Sequence, residues 1–399
     1  MRILYLSALS SEALINDIYK KTIVDPGFAV QKFNRLIVKG FLANGLHCRT
    51  LTSPPVTRKY ASKLWFNRKR EVEDGIDYLY IPFVNIPILR HLFLSIFSFF
   101  YVLKWGIGHK EEKIIVCDVL NVSTCMGALL ATKINRIQSV AVVTDLYGLM
   151  VSEKRSFLKT FISRLANFLH NRYVSSFDNY VLLTEYMSDV VNPRRKPYIV
   201  MEAICDSNFA NQLTNPSVAK EFPRTIIYAG GLYEEYGVGK LVESFLLAEL
   251  PDAVLKLYGS GPYVKKLEKI CEKHDKVKYM GVKPNSIVIE DEIKASLLVN
   301  PRPTSEEFTK YSFPSKNIEY MSTGTSVLTT RLPGMPVEYY PYVFLIDDES
   351  VEGYANALKS VFQNSAEELY KFGQKAKKFV ISNKNNCLQT ARIIDLIRS

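Results

Sequence analysis

The chain has 399 residues, 47% of them hydrophobic and 23% charged, with a formal net charge of +11 at pH 7. That length exceeds one ordinary core and implies two domains, and the composition excludes a disordered or low-complexity chain. The positive balance points to anionic company: a membrane surface or a phosphorylated substrate, with nucleic acid ranked below them because the basic residues are dispersed and form no known binding motif.

Cys48, Cys117, Cys125, Cys205, Cys271 and Cys387 lie at wide, irregular spacings without a CxxC, and the five histidines are scattered. We therefore expect neither a disulfide framework nor a metal site, and a reducing cytoplasm as the home. The opening "MRILYLSALSSE" has too short an apolar run for a signal peptide and reads as a strand.

In chain order, "RILYLSA" predicts a buried strand and Asp25-Pro26-Gly27 a turn. Phe33, Leu36, Ile37 and Phe41 then fall on one helical face that Gly45 ends, and "HCRTLTS" is the next strand. This is the βαβ unit of a parallel sheet. "IDYLYIPF" is strand-like. Residues 88–106 form the most apolar helix, but Arg90 and Lys104 cut its apolar core short of the roughly 20 residues a membrane span needs. A buried helix is the preferred reading. The alternative is a helix lying in the bilayer interface, with Arg90, Lys104 and Trp105 at its ends. The strands "KIIVCDV", "SVAVVTDL", "NYVLLT" and "KPYIVMEA" then alternate with the helices "STCMGALLATKI" and "FLKTFISRLANFLHNRYV".

The unpatterned "CDSNFANQLTNPSVAKEFPR" reads as an interdomain link. Beyond it the same alternation restarts, giving a second doubly wound domain. The expected architecture is α/β: residues 1–205, a linker at 206–222, a second domain at 223–380, and a final helix, 381–399, packing back on the first domain. Two such domains would face each other across a cleft at their strand C-terminal ends, where ligands bind in these folds.

Three clusters in the second half follow strands. Gly230 and Gly231 allow close backbone approach to a ligand, as do Gly259 and Gly261, although either pair also suits a plain turn. The third cluster, "EEFTKYSFPSKNIEYMSTGT", is denser. Arg302 precedes it, Glu306 and Glu307 open it, and Lys310, Ser312, Ser315 and Lys316 come at or just before a helix start. Ser315 suits the N-cap, and Glu319 sits one turn in, on the face of Ser315 and Lys316. Cations, hydroxyls and a helix N-terminus together make a diphosphate cradle, and the carboxylates would accept hydrogen bonds from sugar or ribose hydroxyls. The competing reading is a solvated, salt-bridged loop before a capped helix.

With "YAGGLYEEYGVGKLVESF", "LYGSGPYVKKLEK", "VNPRPTSEEFTKYSFPSKNIEYMSTGTSVLTT" and the early "GFAVQKFNRLIVKGFLANG", the chain resembles the retaining glycosyltransferases of family 4 across nearly its whole length. The third piece looks like the subgroup that builds bacterial capsule, exopolysaccharide and lipopolysaccharide. The resemblance implies a GT-B fold of two Rossmann-like domains. It implies a nucleotide-diphospho-sugar donor, UDP-linked, in the C-terminal domain, and a saccharide or lipid-linked saccharide acceptor in the N-terminal domain. It also implies transfer with retention, without bound metal or other cofactor, in the cytoplasm and peripherally on the inner membrane face. Glu319 matches the second of the family's paired glutamates, which contacts the ribose. The first falls at Tyr311, so Glu306 or Glu307 takes its place or nothing does. The family's diphosphate-binding Arg and Lys are replaced by Gly231 and Tyr236, which shifts that role to Lys316, Lys310 and Arg302. Asp145, in "VVTDLYG", stands where the family often has a histidine, within reach of donor sugar or acceptor. Lys316, Glu307 and Asp145 are the catalytic candidates. The missing cations also motivate the alternative of a non-catalytic, membrane-associated sugar-nucleotide-binding or scaffold protein with a degenerate site.

Overall fold

In a computed structural model, residues 1–19, 28–56, 63–107, 111–146, 167–207 and 220–399 are described. The predicted turn at Asp25-Pro26-Gly27, most of the predicted link and the start of the helix expected near residue 157 lie outside them. The chain divides into two compact units, Met1–Ile204 with Asn386–Ser399, and Cys205–Asn385.

The first unit is built on an eight-stranded sheet of order β10-β9-β8-β7-β1-β2-β5-β4. Its strands are β1 (Arg2–Ser7), β2 (His47–Thr52), β4 (Lys69–Glu73), β5 (Ile76–Tyr80), β7 (Lys113–Asp118), β8 (Gln138–Val143), β9 (Asn179–Leu182) and β10 (Tyr198–Val200); β3 (Trp65–Phe66) and β6 (Phe83–Val84) pair separately. All neighbours in the large sheet are parallel except β4 with β5. Parallel strands covered on both faces read as continuous apolar runs, and β7 is buried at every residue. The edge strand β4, "KREVE", carries no such run and is invisible to that test. Its signal was the turn: Asp74 and Gly75 both have positive φ, 52° and 77°, the Asp-Gly pair of a two-residue hairpin.

Helices α1 (Glu12–Tyr19), α2 (Phe28–Ala43), α3 (Pro87–Gly106), α4 (Val122–Asn135) and α5 (Tyr186–Val191) belong to this unit. The predicted face of α2 is the one it buries: Leu36, Ile37 and Phe41 are in the core and Phe33 packs against it. The expectation of a buried helix at 88–106 is overturned. Of α3 only Leu94, Ser98 and Val102 are buried, because it packs on α4 rather than under the sheet. Lys113 donates to the carbonyls of Trp105 and Gly106 at 2.8 and 2.9 Å and lies over the Trp105 ring, capping the C-terminal end of α3 where a cation is favoured.

The second unit has a six-stranded parallel sheet of order β13-β12-β11-β14-β15-β16. The strands are β11 (Arg224–Ala229), β12 (Ala253–Tyr258), β13 (Val277–Gly281), β14 (Leu297–Asn300), β15 (Val327–Thr330) and β16 (Phe344–Ile346). Helices α6 (Val238–Ala248), α7 (Val264–Cys271), α8 (Asn285–Lys294), α9 (Ser315–Thr323), α10 (Val351–Phe362) and α11 (Ala366–Asn383) connect or flank them. The last helix, α12 (Asn386–Arg398), belongs to the first unit. It lies on α2 at Gly40, where an added Cβ would fall 2.3 Å from the Asn386 carbonyl oxygen. Asn44 fixes the contact by donating to the Cys387 carbonyl at 2.8 Å.

At the end of β7, Asp118 is fully buried and accepts from Asn34 Nδ2 at 3.0 Å, Asn121 Nδ2 at 2.9 Å and the Leu120 amide at 3.2 Å. Burial outweighs these bonds and raises its pKa from 3.8 to about 6. A carboxyl whose folded pKa is raised holds its proton in the folded chain at pH values where the unfolded chain has lost it. Stability therefore gains from this group as pH falls from about 6 towards 4, by at most about 3 kcal/mol. In urea unfolding, the stability of wild type minus that of Asp118→Asn should rise as pH falls from about 6 towards 4, because the variant lacks this gain. Identical slopes would remove Asp118 from the account.

Candidate nucleotide-sugar site

The site is assembled in the second unit from strand ends that the parallel sheet places side by side. β11 ends at Ala229 and is followed by Gly230 and Gly231. The Gly231 carbonyl accepts from Tyr228 Oη at 2.7 Å, which pins the turn. β12 ends at Tyr258, and Gly259 then takes φ 128°. A Cβ on Gly259 would lie 1.8 Å from the Gly230 carbonyl oxygen, and one on Gly261 would lie 2.2 Å from that of Leu232. The two glycine turns are therefore stacked backbone to backbone, and both of the predicted glycine pairs belong to one surface.

Lys316 joins them. A Cβ on Gly230 would lie 2.8 Å from Lys316 Cε, so the lysine stem runs across the bare backbone of the glycine turn. Two bonds hold α9 in that place. The Ala229 amide donates to Tyr320 Oη at 2.9 Å, and Asn300 Nδ2 donates to Asn317 Oδ1 at 2.8 Å. Tyr320 and Asn317 are fully buried, and they tie the helix to the ends of β11 and β14.

Ser315 is not the N-cap. Pro314 takes that position with extended backbone (φ −73°, ψ 103°) and no side-chain cap, and Ser315 is the first helical residue, exposed. Proline's fixed φ already supplies the conformation a cap position needs, so the helix starts one residue earlier than a Ser315 cap would place it. The Asn317 amide donates to the Pro314 carbonyl at 2.9 Å, while no capping side chain reaches the first turn, which leaves the Ser315 and Lys316 amides at the exposed helix start.

Arg302 follows β14. Its guanidinium lies 4.9 Å from the Tyr236 ring centre and 5.4 Å from that of Phe308, and Nη1 donates to Ser312 Oγ at 3.3 Å. Burial lowers its pKa, and its buried Nε has no partner. A buried cation with a spare donor, held between two rings, is the kind of group a bound anion completes. Tyr236 and Phe308 were missed as site residues by sequence reasoning. The only signal was Tyr236 itself, standing where the resemblance puts a lysine. The structure puts the Arg302 cation against that tyrosine.

The acids are placed less tightly. Glu306 and Glu307 open a 3-10 turn, Glu307–Lys310, which the sequence reading left as loop. Glu307 and Lys310 are exposed. Among the described residues no ion pair joins Glu306 or Glu307 to Lys310, Lys316 or Arg302. Glu306 and Glu307 therefore do not neutralise these cations. Glu319 is half-buried on α9. Asp145 belongs to the first unit, just beyond β8. Burial raises its pKa, and its Oδ1 accepts from the Leu146 amide at 2.8 Å.

Residues 211–379 match the family model of the glycosyl transferases group 1. No curated protein matches the chain's sequence. Among solved structures, the lipopolysaccharide outer core galactosyltransferase WaaB aligns with a TM-score of 0.63 at 14% identity, covering 100% of this chain and 99% of that one. Sucrose-phosphate synthase from Thermosynechococcus elongatus aligns with 0.63 at 13%, covering 100% and 99%. HepE from Anabaena, solved with UDP, aligns with 0.60 at 14%, covering 100% of both. The chain therefore has the α/β fold of the GT-B glycosyltransferases, and its second unit carries the match to the glycosyl transferases group 1.

Proposed function

We propose that the chain is a retaining, metal-independent glycosyltransferase. It moves a sugar from a UDP-sugar to a saccharide or lipid-linked saccharide acceptor in the synthesis of a bacterial surface polysaccharide. The observation that carries this reading is the Lys316 stem lying across Gly230 at the uncapped start of α9. The galactosyltransferase likeness and the UDP bound by HepE support the donor class.

In this reading the acceptor hydroxyl bonds to the anomeric carbon on the same face from which the diphosphate leaves, the bond from that carbon to the diphosphate oxygen breaks, and the hydroxyl proton passes to the departing diphosphate. Negative charge grows on the departing diphosphate. Lys316, the α9 amides, Ser312, Ser315 and Lys310 stabilise it, with Arg302 as a further cation from the buried side. Fixed donors aimed at developing charge do most of such work, because they need no reorganisation during the reaction. Glu319 takes the ribose hydroxyls, Glu306 or Glu307 the sugar, and Asp145 the donor sugar or the acceptor hydroxyl.

A thermal-shift panel of UDP-, GDP-, ADP- and dTDP-sugars, followed by product analysis with the best donor, tests this. One nucleotide should raise the melting temperature in proportion to the logarithm of its concentration above its Kd. The donor should then be turned over to free UDP and a glycoside of unchanged anomeric configuration. Binding without turnover of donor against any saccharide acceptor would favour the scaffold alternative. An inverted product would overturn retention.

A further inference from the structure

Two cations border the glycine turn after β11, one at each glycine. A Cβ on Gly230 would meet Lys316 Cε at 2.8 Å, and one on Gly231 would meet Tyr236 Cε2 at 3.2 Å. The Arg302 guanidinium lies 4.9 Å from the centre of that Tyr236 ring, so the second cation comes to the turn beside a tyrosine.

Arg302 is held from several elements. Gly237 takes φ 78°, and a Cβ there would fall 2.0 Å from the Pro301 carbonyl oxygen. The turn that carries Tyr236 therefore touches the backbone just before Arg302. Tyr354 Oη donates to the same Pro301 carbonyl at 3.0 Å, and Thr330 Oγ1 donates to the Arg302 carbonyl. The Tyr236 and Phe308 rings, 6.3 Å apart, both lie against the guanidinium. Contacts of this kind fix the plane of a guanidinium as well as its position.

The group so fixed has donors to spare. Nη1 donates to Ser312 Oγ at 3.3 Å, whereas the buried Nε has no partner. Among the described residues no ion pair involves Arg302. The Nε–Nη2 edge of an arginine carries two parallel N–H donors, which match two oxygens of one phosphate. A buried donor left unpaired costs free energy that a bound anion recovers.

We propose that Arg302 grips one phosphate of the donor's diphosphate and Lys316 the other, with Tyr236 and Phe308 as positioning residues for Arg302. This rests on the reading that the site takes a nucleoside-diphosphate sugar, and it gives each phosphate its own cation. Lys316 acts as a point charge beside the α9 amides, and Arg302 supplies the fork. A lysine at residue 236, where the resemblance puts one, would bring its charge to the turn from its own loop. Here the ring at 236 instead fixes a cation that comes from the loop after β14.

The test is calorimetric titration of the full chain with UDP and with UMP, with the melting temperature in the absence of nucleotide as the check on folding. Arg302→Ala and Lys316→Ala should each weaken UDP binding by roughly tenfold to a hundredfold. UMP has a single phosphate, so its affinity should fall in only one of the two variants. Tyr236→Leu and Phe308→Leu leave the arginine in place and should weaken UDP by less than Arg302→Ala does. Tyr236→Lys added to Arg302→Ala should restore part of the lost affinity, which a merely structural arginine would not allow. If Arg302→Ala fails to fold, Arg302→Gln takes its place, removing the charge and keeping a hydrogen-bonding side chain. UDP bound as tightly by the Arg302 variant as by wild type would overturn the proposal and leave the transferase reading standing. UMP weakened equally by both alanine variants would also overturn it, because the two cations would then share one phosphate. Wild type that binds neither UDP nor any other nucleoside diphosphate would overturn both.

Discussion

Replacing Lys316 by alanine should lower kcat by roughly 10²–10³ while leaving the melting temperature within a degree or two of wild type. The ammonium is not part of the core. Its stem crosses the backbone of Gly230 at the uncapped start of α9, and α9 is held by Tyr320 and Asn317, not by Lys316. Removing it should cost the fold little, and under the proposed function it costs the leaving diphosphate a fixed cation. Because the charge it answers develops in the transition state, kcat should fall more than KM rises. Lys310→Ala, on the exposed 3-10 turn, should cost less, since a solvated charge is screened. Steady-state kinetics on the best donor decides the matter. Wild-type turnover by Lys316→Ala would remove this site from the mechanism, and a larger loss in Lys310→Ala would relocate its centre.

Alanine at Gly259 should destabilise the second unit by roughly 2–5 kcal/mol and abolish the response to UDP. Two costs act together. At φ 128° a side chain is strained whatever the space, and here the new Cβ would lie 1.8 Å from the Gly230 carbonyl oxygen. Backbone cannot swing aside as a lysine tip can, so the glycine turns must separate, and the surface under Lys316 opens with them. Gly281 is the control. It has φ 73° with nothing within 4 Å of an added Cβ, so Gly281→Ala should cost only about 1–2 kcal/mol, the left-handed backbone term alone. Thermal melts with and without UDP measure both effects. Equal destabilisation by the two substitutions would mean that the stacked turns are not what Gly259 protects.

Much of the architecture was legible because burial on both faces leaves a plain mark. Strands such as "KIIVCDV" and "RTIIYAGGL" carry unbroken apolar centres between polar ends, the pattern of a strand covered on both faces in a parallel sheet. The glycines after β11 and β12 and the polar segment before α9 were legible as well, since strand ends are where open sheets place ligands. The hairpin strand β4 was missed because an edge strand with a charged face has no apolar run, although Asp74-Gly75 marked its turn.

The sequence alone determined which residues could meet a diphosphate: glycines, lysines and hydroxyls clustered behind three strands. Which of them meet each other was settled by packing between segments far apart in the chain. Lys316 lies on Gly230 because Tyr320 reaches Ala229 and Asn317 reaches Asn300. Arg302 lies against Tyr236 because their loops follow neighbouring strands, β14 and β11. The same holds for α3, whose composition suited a buried helix. Its exposure followed from the Gly127 seam that turned it onto α4. Local pattern fixes the elements through hydrogen bonding and periodicity, whereas the long-range partners of a side chain depend on sheet order, which no local window contains.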